Sequence, residues 1–145
     1  MIKRWIPLAA LLLPLQSLAQ AGSCPELPAG SGLAWQMSEG AGFLYCRAMR
    51  EADGSQAFSV MLRSESPMRE RKSLREERGE IDGHEVHWYR GEIADQSAIV
   101  RETAIELEDD LFAHVVLRAD SAEQLAESRR LAEGLRFHDM RLGSH

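Results

Sequence analysis

The sequence predicts an α+β fold, in which an antiparallel sheet of six to seven strands is covered on one face by a C-terminal helix. Short segments in which apolar and polar residues alternate run through the middle of the chain and are separated by turn residues. The last regular segment instead repeats its apolar residues at helical spacing. Residues 22–145 suffice for one domain and show no internal repeat, so we expect a single domain.

Seven segments have the length and composition of strands. They cover residues 33–37, 42–49, 58–62, 72–80, 84–90, 98–107 and 111–118. Tight turns are expected at Glu39-Gly40, Asp53-Gly54, Asp82-Gly83 and the acidic run 108–110. The 72–80 segment is charged, with Leu74 as its one apolar residue, so a helix there would have nothing to bury. We therefore predict an edge strand for it.

The final element is predicted to be a helix that begins after Ser121. This serine precedes Gln124 by three residues, as in a capping box. Gly134 lies near the expected C-terminus, where glycine is common. Apolar and small residues then recur at helical spacing, at Leu125, Ser128, Leu131, Ala132 and Leu135. This stripe predicts that the helix packs on one face of the sheet.

The first 21 residues have the three parts of a cleavable secretory signal. Lys3-Arg4 form a basic start, 6–15 is apolar, and Ala19 and Ala21 fit a small-x-small cleavage pattern, with cleavage favoured after Ala21. A membrane anchor is the alternative, but a spanning helix needs about 20 apolar residues. This run is half that length and contains two prolines. We therefore expect export to the periplasm.

Cys24 and Cys46 both remain after cleavage at that site. Two thiols in an exported protein most simply form one disulfide. Closing the loop between them would contribute on the order of 3 kcal/mol to stability. A redox pair is the less favoured reading, because the spacing is not C-x-x-C. Lipidation at Cys24 is a further alternative, which would attach the chain to a membrane, although Ala21-Gly22-Ser23 match a lipoprotein signal weakly.

The charge of the exported chain bears on its partners. Loss of Lys3 and Arg4 with the signal leaves 15 basic and 23 acidic residues, a formal charge of −8. Nucleic acids and anionic membrane surfaces require a positive face, so this charge argues against both. A protein partner with a basic groove is favoured instead.

No catalytic motif is recognisable, and we expect a protein that is not an enzyme and uses no cofactor. The sequence lacks a nucleophile elbow, a phosphate-binding loop, an H-E-x-x-H and a C-x-x-C. His84 and His87 are the closest histidine pair, but residues three apart on a strand point to opposite faces, so we predict no metal site. A carboxylate pair for glycoside hydrolysis stays an alternative, although no two acids stand out.

Two acidic turns have the composition of a protein-binding surface. The hairpin over 76–89 sets acids beside Trp88 and Tyr89, and aromatic anchors framed by charges are typical of interfaces. Trp88 shares a face with Val86 and is equally a core candidate, whereas Tyr89 lies on the other face. The second turn is the triple acid at 108–110, for which a solvated turn is the alternative. The predicted partner contacts are Glu80, Asp82, Glu85, Tyr89, Glu108, Asp109 and Asp110.

The chain resembles the periplasmic immunity proteins of type VI secretion systems, in particular those that neutralise a muramidase effector in pseudomonads. The resemblance lies in the length with a signal, the Arg- and Glu-rich composition, and the stretch 83–90 leading to the helical segment 125–137. It implies an inhibitor whose acidic loops occupy the effector's substrate groove. A periplasmic accessory domain without a toxin partner and a minor cell-wall hydrolase or lectin are the alternatives.

Overall fold

The structure, a computed structural model, describes residues 23–140 except 67, 92–96, 109 and 139. The predicted signal over 1–21 therefore lies outside the described residues. The strands are β1 (Leu33–Gly40), β2 (Phe43–Arg50), β3 (Gln56–Arg63), β4 (Arg75–Ile81), β5 (His84–Arg90), β6 (Ile99–Leu107) and β7 (Leu111–Ala119). One turn of 3₁₀ helix covers Lys72–Leu74, and the α-helix α1 covers Ala122–Glu133.

All seven strands form one antiparallel sheet in the order β1-β2-β3-β7-β6-β5-β4. Two meanders, β1-β2-β3 and β4-β5-β6-β7, meet where β3 pairs with β7. The helix α1 packs on one face of this sheet, against β7 and also β4 and β3. The predicted α+β fold, a sheet with a C-terminal covering helix, is confirmed.

The hydrophobic core lies between α1 and the sheet. Alternate residues of the central strands point into it because successive side chains of a strand face opposite sides. Those buried from β2, β3 and β7 are Leu44, Cys46, Ala48, Phe58, Val60, Leu62, Leu111, Ala113, Val115 and Leu117. The helix contributes Leu125, Leu131 and Ala132. Each fully buried large apolar side chain contributes about 1.5–3 kcal/mol relative to exposure.

The residues at the two ends of α1 are explained by the contacts that they make. Ser121 Oγ accepts a hydrogen bond from the Gln124 amide at 3.1 Å, and Gln124 Oε1 accepts one from the Asp120 amide at 2.8 Å. The predicted capping arrangement is therefore confirmed, with the return bond one residue earlier than usual. At the other end, a Cβ on Gly134 would lie 2.6 Å from Pro28 Cγ, so close packing selects the glycine.

An N-terminal arm, residues 23–32, is attached to the sheet and to the segment that follows α1. Cys24 and Cys46 form the predicted disulfide, with their Cα atoms 5.9 Å apart. The indole of Trp35 donates to the Pro25 carbonyl at 2.8 Å. Glu26 and Arg136 exchange two backbone hydrogen bonds of 2.8 and 3.1 Å. The disulfide indicates an oxidising, extracytoplasmic environment.

Two predicted boundaries are wrong. The strand β1 continues through Glu39-Gly40, which the sequence assigned to a turn, and the chain reverses at Ala41-Gly42, where Gly42 has φ +78°. A Cβ on Gly40 would meet the ring of Phe43, an exposed side chain that would then have to move. The edge strand β4 begins three residues later than predicted, because the 3₁₀ turn occupies Lys72–Leu74.

Candidate functional site

The two acidic turns singled out in the sequence lie side by side at one end of the sheet. The hairpins β4-β5 and β6-β7 are neighbours, because β5 is next to β6. Since adjacent strands run in opposite directions, both turns reach the same end of the sheet. We call this region the acidic end; it comprises Glu80, Asp82, Glu85, Glu108 and Asp110. Asp109, also predicted as a contact, lies outside the described residues.

Glu80 and Glu85 are both exposed and face each other directly across β4 and β5. Like charges in this arrangement destabilise a strand pair. Arg78 forms an ion pair with Glu85 on the surface, and such exposed pairs contribute little. A positively charged group on a partner would relieve the repulsion that remains.

Asp82 has a structural task as well as a charge. With Gly83 it forms the turn between β4 and β5, and both residues have positive φ, +47° and +80°, as a type I′ hairpin turn requires. One carboxylate oxygen accepts a hydrogen bond from the Phe137 amide at 2.9 Å, and the other lies 3.9 Å from the Arg136 guanidinium. Asp82 therefore ties the segment after α1 to the acidic end.

Glu108 and Asp110 are exposed at the turn between β6 and β7. The ladder of these strands is paired up to Leu107 opposite Leu111, so the turn follows immediately on a regular hairpin. Asp110 has φ +58°, a left-handed conformation that aspartate tolerates better than most residues. The hairpin consequently fixes the position at which these two carboxylates are presented.

A cavity lies beside the acidic end, where β5 and β6 are not paired. The ladder between these strands has two residue pairs, Tyr89 with Glu102 and Arg90 with Arg101. Closer to the acidic end, the Thr103 hydroxyl donates to the His87 carbonyl at 2.8 Å. The cavity has a volume of about 400 Å³ and is lined by His84, Leu107, Glu108, Phe137, His138 and Met140.

The lining of this cavity suits one long side chain with a positive tip. Its volume is at the lower end of the range for ligand pockets. Leu107, Phe137 and Met140 supply apolar surface, and Glu108 supplies a carboxylate. The stem of a lysine or arginine is apolar and its head is charged, so both parts would find a matching surface. Sequence reasoning missed this cavity, because the packing of α1 brings the segment after it to a turn far away in the chain.

Tyr89, predicted as a partner contact, lies away from the acidic end, and its ring is buried. Its side chain is 3% exposed, and its hydroxyl accepts a hydrogen bond from Arg75 Nε at 3.3 Å. It lies five residues along β5 from His84, about 17 Å from the turn. Trp88 is completely buried on the opposite face, where Val86 is also buried, and is therefore a core residue.

One titratable pair lies on the sheet face opposite α1, which we call the open face. His114 on β7 and Glu102 on β6 approach to 3.4 Å between Nε2 and Oε2, and Nε2 is buried without a well-formed hydrogen bond. Burial lowers the pKa of His114 below its ordinary value of 6.5, with Arg63 acting in the same direction and Glu102 opposing them. Burial therefore favours the neutral form of the imidazole over its charged form.

Within the described residues, no three side chains of the metal-binding types come together. No α-helix in that same part of the chain is both long and apolar enough to cross a membrane. A comparison with protein-family models, curated proteins and solved structures finds no match. The fold and the site together define the class of the protein as a disulfide-bonded α+β domain with an acidic end.

Proposed function

We propose that this chain is an immunity protein of the periplasm, which binds and inhibits a type VI secreted peptidoglycan hydrolase by occluding its substrate groove. The observation that carries the proposal is the acidic end, where two neighbouring hairpins present five carboxylates next to a cavity of about 400 Å³. The resemblance described above supports the choice of a peptidoglycan hydrolase as the effector. The disulfide supports a site of action outside the cytoplasm.

The geometry of the acidic end favours binding to a basic groove. Complementary charges accelerate encounter and select the partner. Both hairpins are anchored before binding, one by the contact of Asp82 with Phe137 and the other by its ladder up to Leu107. A surface that is ordered in advance loses less conformational freedom on association.

The interface is tested by reversing the charge of acidic residues for which no side-chain hydrogen bond or ion pair is described. In a double variant, Glu80→Lys and Glu108→Lys, we expect association with the effector to slow by about tenfold or more and to become less sensitive to salt. The effector used is the secreted hydrolase that the proposal expects to be encoded beside this protein. Association rates measured by surface plasmon resonance at low and high ionic strength give the result.

The matched control is Glu51→Lys with Glu127→Lys. It makes the same change in net charge at exposed positions that are outside the acidic end. Asp82 is left intact in both proteins, because its replacement would remove the hydrogen bond to the Phe137 amide. If both double variants associate at the wild-type rate, the acidic end is not the interface.

Inhibition itself is tested separately. The purified protein should suppress release of muropeptides by the neighbouring hydrolase, and should release none when it is incubated with peptidoglycan alone. A deletion strain should lose viability when it grows among siblings that secrete the effector. Capture of no secreted hydrolase, together with normal growth of the deletion strain, contradicts the proposal; muropeptide release by the protein alone would favour the hydrolase alternative.

A further inference from the structure

The two edges of the sheet differ in how they are protected from pairing with another strand. An exposed edge presents unpaired backbone groups, and natural proteins block such edges with charges and bulges. The edge strand β4 has both devices, since its ladder shifts between Arg75 and Glu77 and its exposed positions are Arg75, Glu76, Arg78 and Glu80. These charges and the bulge disfavour pairing of this edge with another strand.

The opposite edge strand, β1, has no bulge and only a single charge. Its sequence, LAWQMSEG, contains one charge, Glu39, and its ladder to β2 is regular over all eight residues. Among the described helices and strands, β2 is the element that contacts β1 extensively. Two large apolar side chains are exposed among the described residues, Met37 (49%) and Phe43 (36%), and both belong to this β1-β2 hairpin.

We propose that β1 pairs antiparallel with β1 of a second copy of this chain, which joins the two sheets into one across a two-fold axis. Directly opposed residues of an antiparallel pair point to the same face. The two-fold axis of a symmetric strand pair must therefore pass through one residue. When it passes through Gln36, Met37 lies opposite the partner's Trp35. Both of these side chains lie on the face that bears α1, as their pairing with Cys46 and Ala48 shows.

The chemistry of β1 fits a second copy because the strand is complementary to itself in this register. Ala34 would lie opposite Ser38, and Leu33 opposite Glu39, so the one charge of β1 does not face a like charge on the partner's β1. A two-fold axis perpendicular to the sheet also directs the acidic ends of the two copies in opposite directions. Their repulsion is therefore exerted over a long distance and is screened by salt.

The test places charges at the centre of the pair. Gln36 is exposed, and in the proposed register it faces its own copy. The oxidised wild-type protein should sediment as a dimer at micromolar to millimolar concentration. Gln36 accepts a hydrogen bond from the Arg47 guanidinium at 2.5 Å. Gln36→Lys alone should therefore raise the dimer dissociation constant by about tenfold or more, because two lysines then face each other beside Arg47. Gln36→Glu alone should raise it less, because Arg47 lies beside each new carboxylate. An equimolar mixture of the two variants should restore a dimer.

The controls are Ala126→Lys and Ala126→Glu, which add the same charges at an exposed position of α1. They should dimerise as the wild type does. A wild-type protein that stays monomeric throughout this concentration range overturns the inference. A dimer that the Gln36 variants leave unchanged also overturns it, since the contact then lies elsewhere. Restoration by mixing is the outcome that only self-opposed Gln36 residues produce.

Discussion

Trp88 illustrates how one buried polar atom constrains two other positions. Its indole nitrogen donates to a carboxylate oxygen of Glu133 at 3.0 Å, which satisfies a group that would otherwise be buried without a partner. The carboxylate lies directly over Gly79, where a Cβ would collide with it. A glycine in an edge strand and a glutamate at the end of a helix are thereby explained by the same tryptophan.

Among the described residues with a clear pKa shift, His114 predicts a dependence of stability on pH. Its pKa is lowered in the folded protein, chiefly by burial. As pH falls below about 6.5, the unfolded chain therefore binds a proton that the folded protein does not bind, and stability is lost until the lowered pKa is reached. We expect the free energy of unfolding to decrease more steeply from pH 7 to pH 5 in the wild type than in His114→Gln. Urea titrations at each pH measure this.

The control for this comparison is His84→Gln, which removes one imidazole from an exposed position. It should retain the wild-type pH dependence. Parallel curves for the wild type and His114→Gln would show that the imidazole of His114 does not couple folding to protons.

At the scale of elements, polar contacts fix how α1 lies on the sheet. Arg50, at the end of β2, donates to Ser55 Oγ at 3.0 Å, to the Gln56 carbonyl at 3.1 Å and to Ser128 Oγ at 3.1 Å. Ser128 is completely buried in the inward stripe of the helix. The sequence correctly placed this serine in the stripe, but its partner, 78 residues away, is known only from the fold.

The disulfide between the arm and β2 predicts a measurable loss on removal. Replacing Cys24 and Cys46 together by Ser should lower the free energy of unfolding by on the order of 3 kcal/mol, because the unfolded chain regains the freedom of a loop of 22 residues. Urea unfolding of the oxidised wild type and the double variant measures the difference.

Reduction of the wild type provides the matching comparison. A reducing agent should bring the wild-type midpoint close to that of the double variant and leave the variant itself unchanged. Equal stability of the oxidised wild type and the variant would show that the arm is held by its other contacts alone, such as the hydrogen bond from Trp35 to Pro25.

At the scale of the whole molecule, the two proposed surfaces are separate. The acidic end involves the turns β4-β5 and β6-β7, whereas β1 is the far edge of the same sheet, beyond β2 and β3. Pairing through β1 would leave both acidic ends free. We therefore predict a complex of two copies of this chain with two effector molecules, measured as its mass by light scattering.

The same measurement on Gln36→Lys should give a complex of one copy with one effector, with the affinity for the effector unchanged. A wild-type complex of two copies with a single effector would contradict this arrangement, because one effector would then cover both acidic ends or the shared edge.

Much of the fold and part of the site were predictable from the sequence, for local reasons. Strand alternation, the Asp82-Gly83 turn and the Ser121 cap each depend on residues a few positions apart. The acidic turns were recognisable for the same reason. Alternation placed Tyr89 on the face away from Trp88, but it does not tell how deeply a side chain is buried, and the burial of Tyr89 is known only from the fold. The cavity was missed because its lining comes from segments that are distant in the chain.

The sequence by itself predicted the α+β class, six to seven strands with their hairpins, the cap of α1, the favoured disulfide pair and the acidity of the two turns. These features follow from the periods of strand and helix and from the chemistry of neighbouring residues. The tertiary structure alone decided that β3 meets β7, that the acidic turns share one end, that Trp88 belongs to the core and that β1 is the unprotected edge. These features arise when the whole chain buries its apolar surface at once, and no local pattern encodes that arrangement.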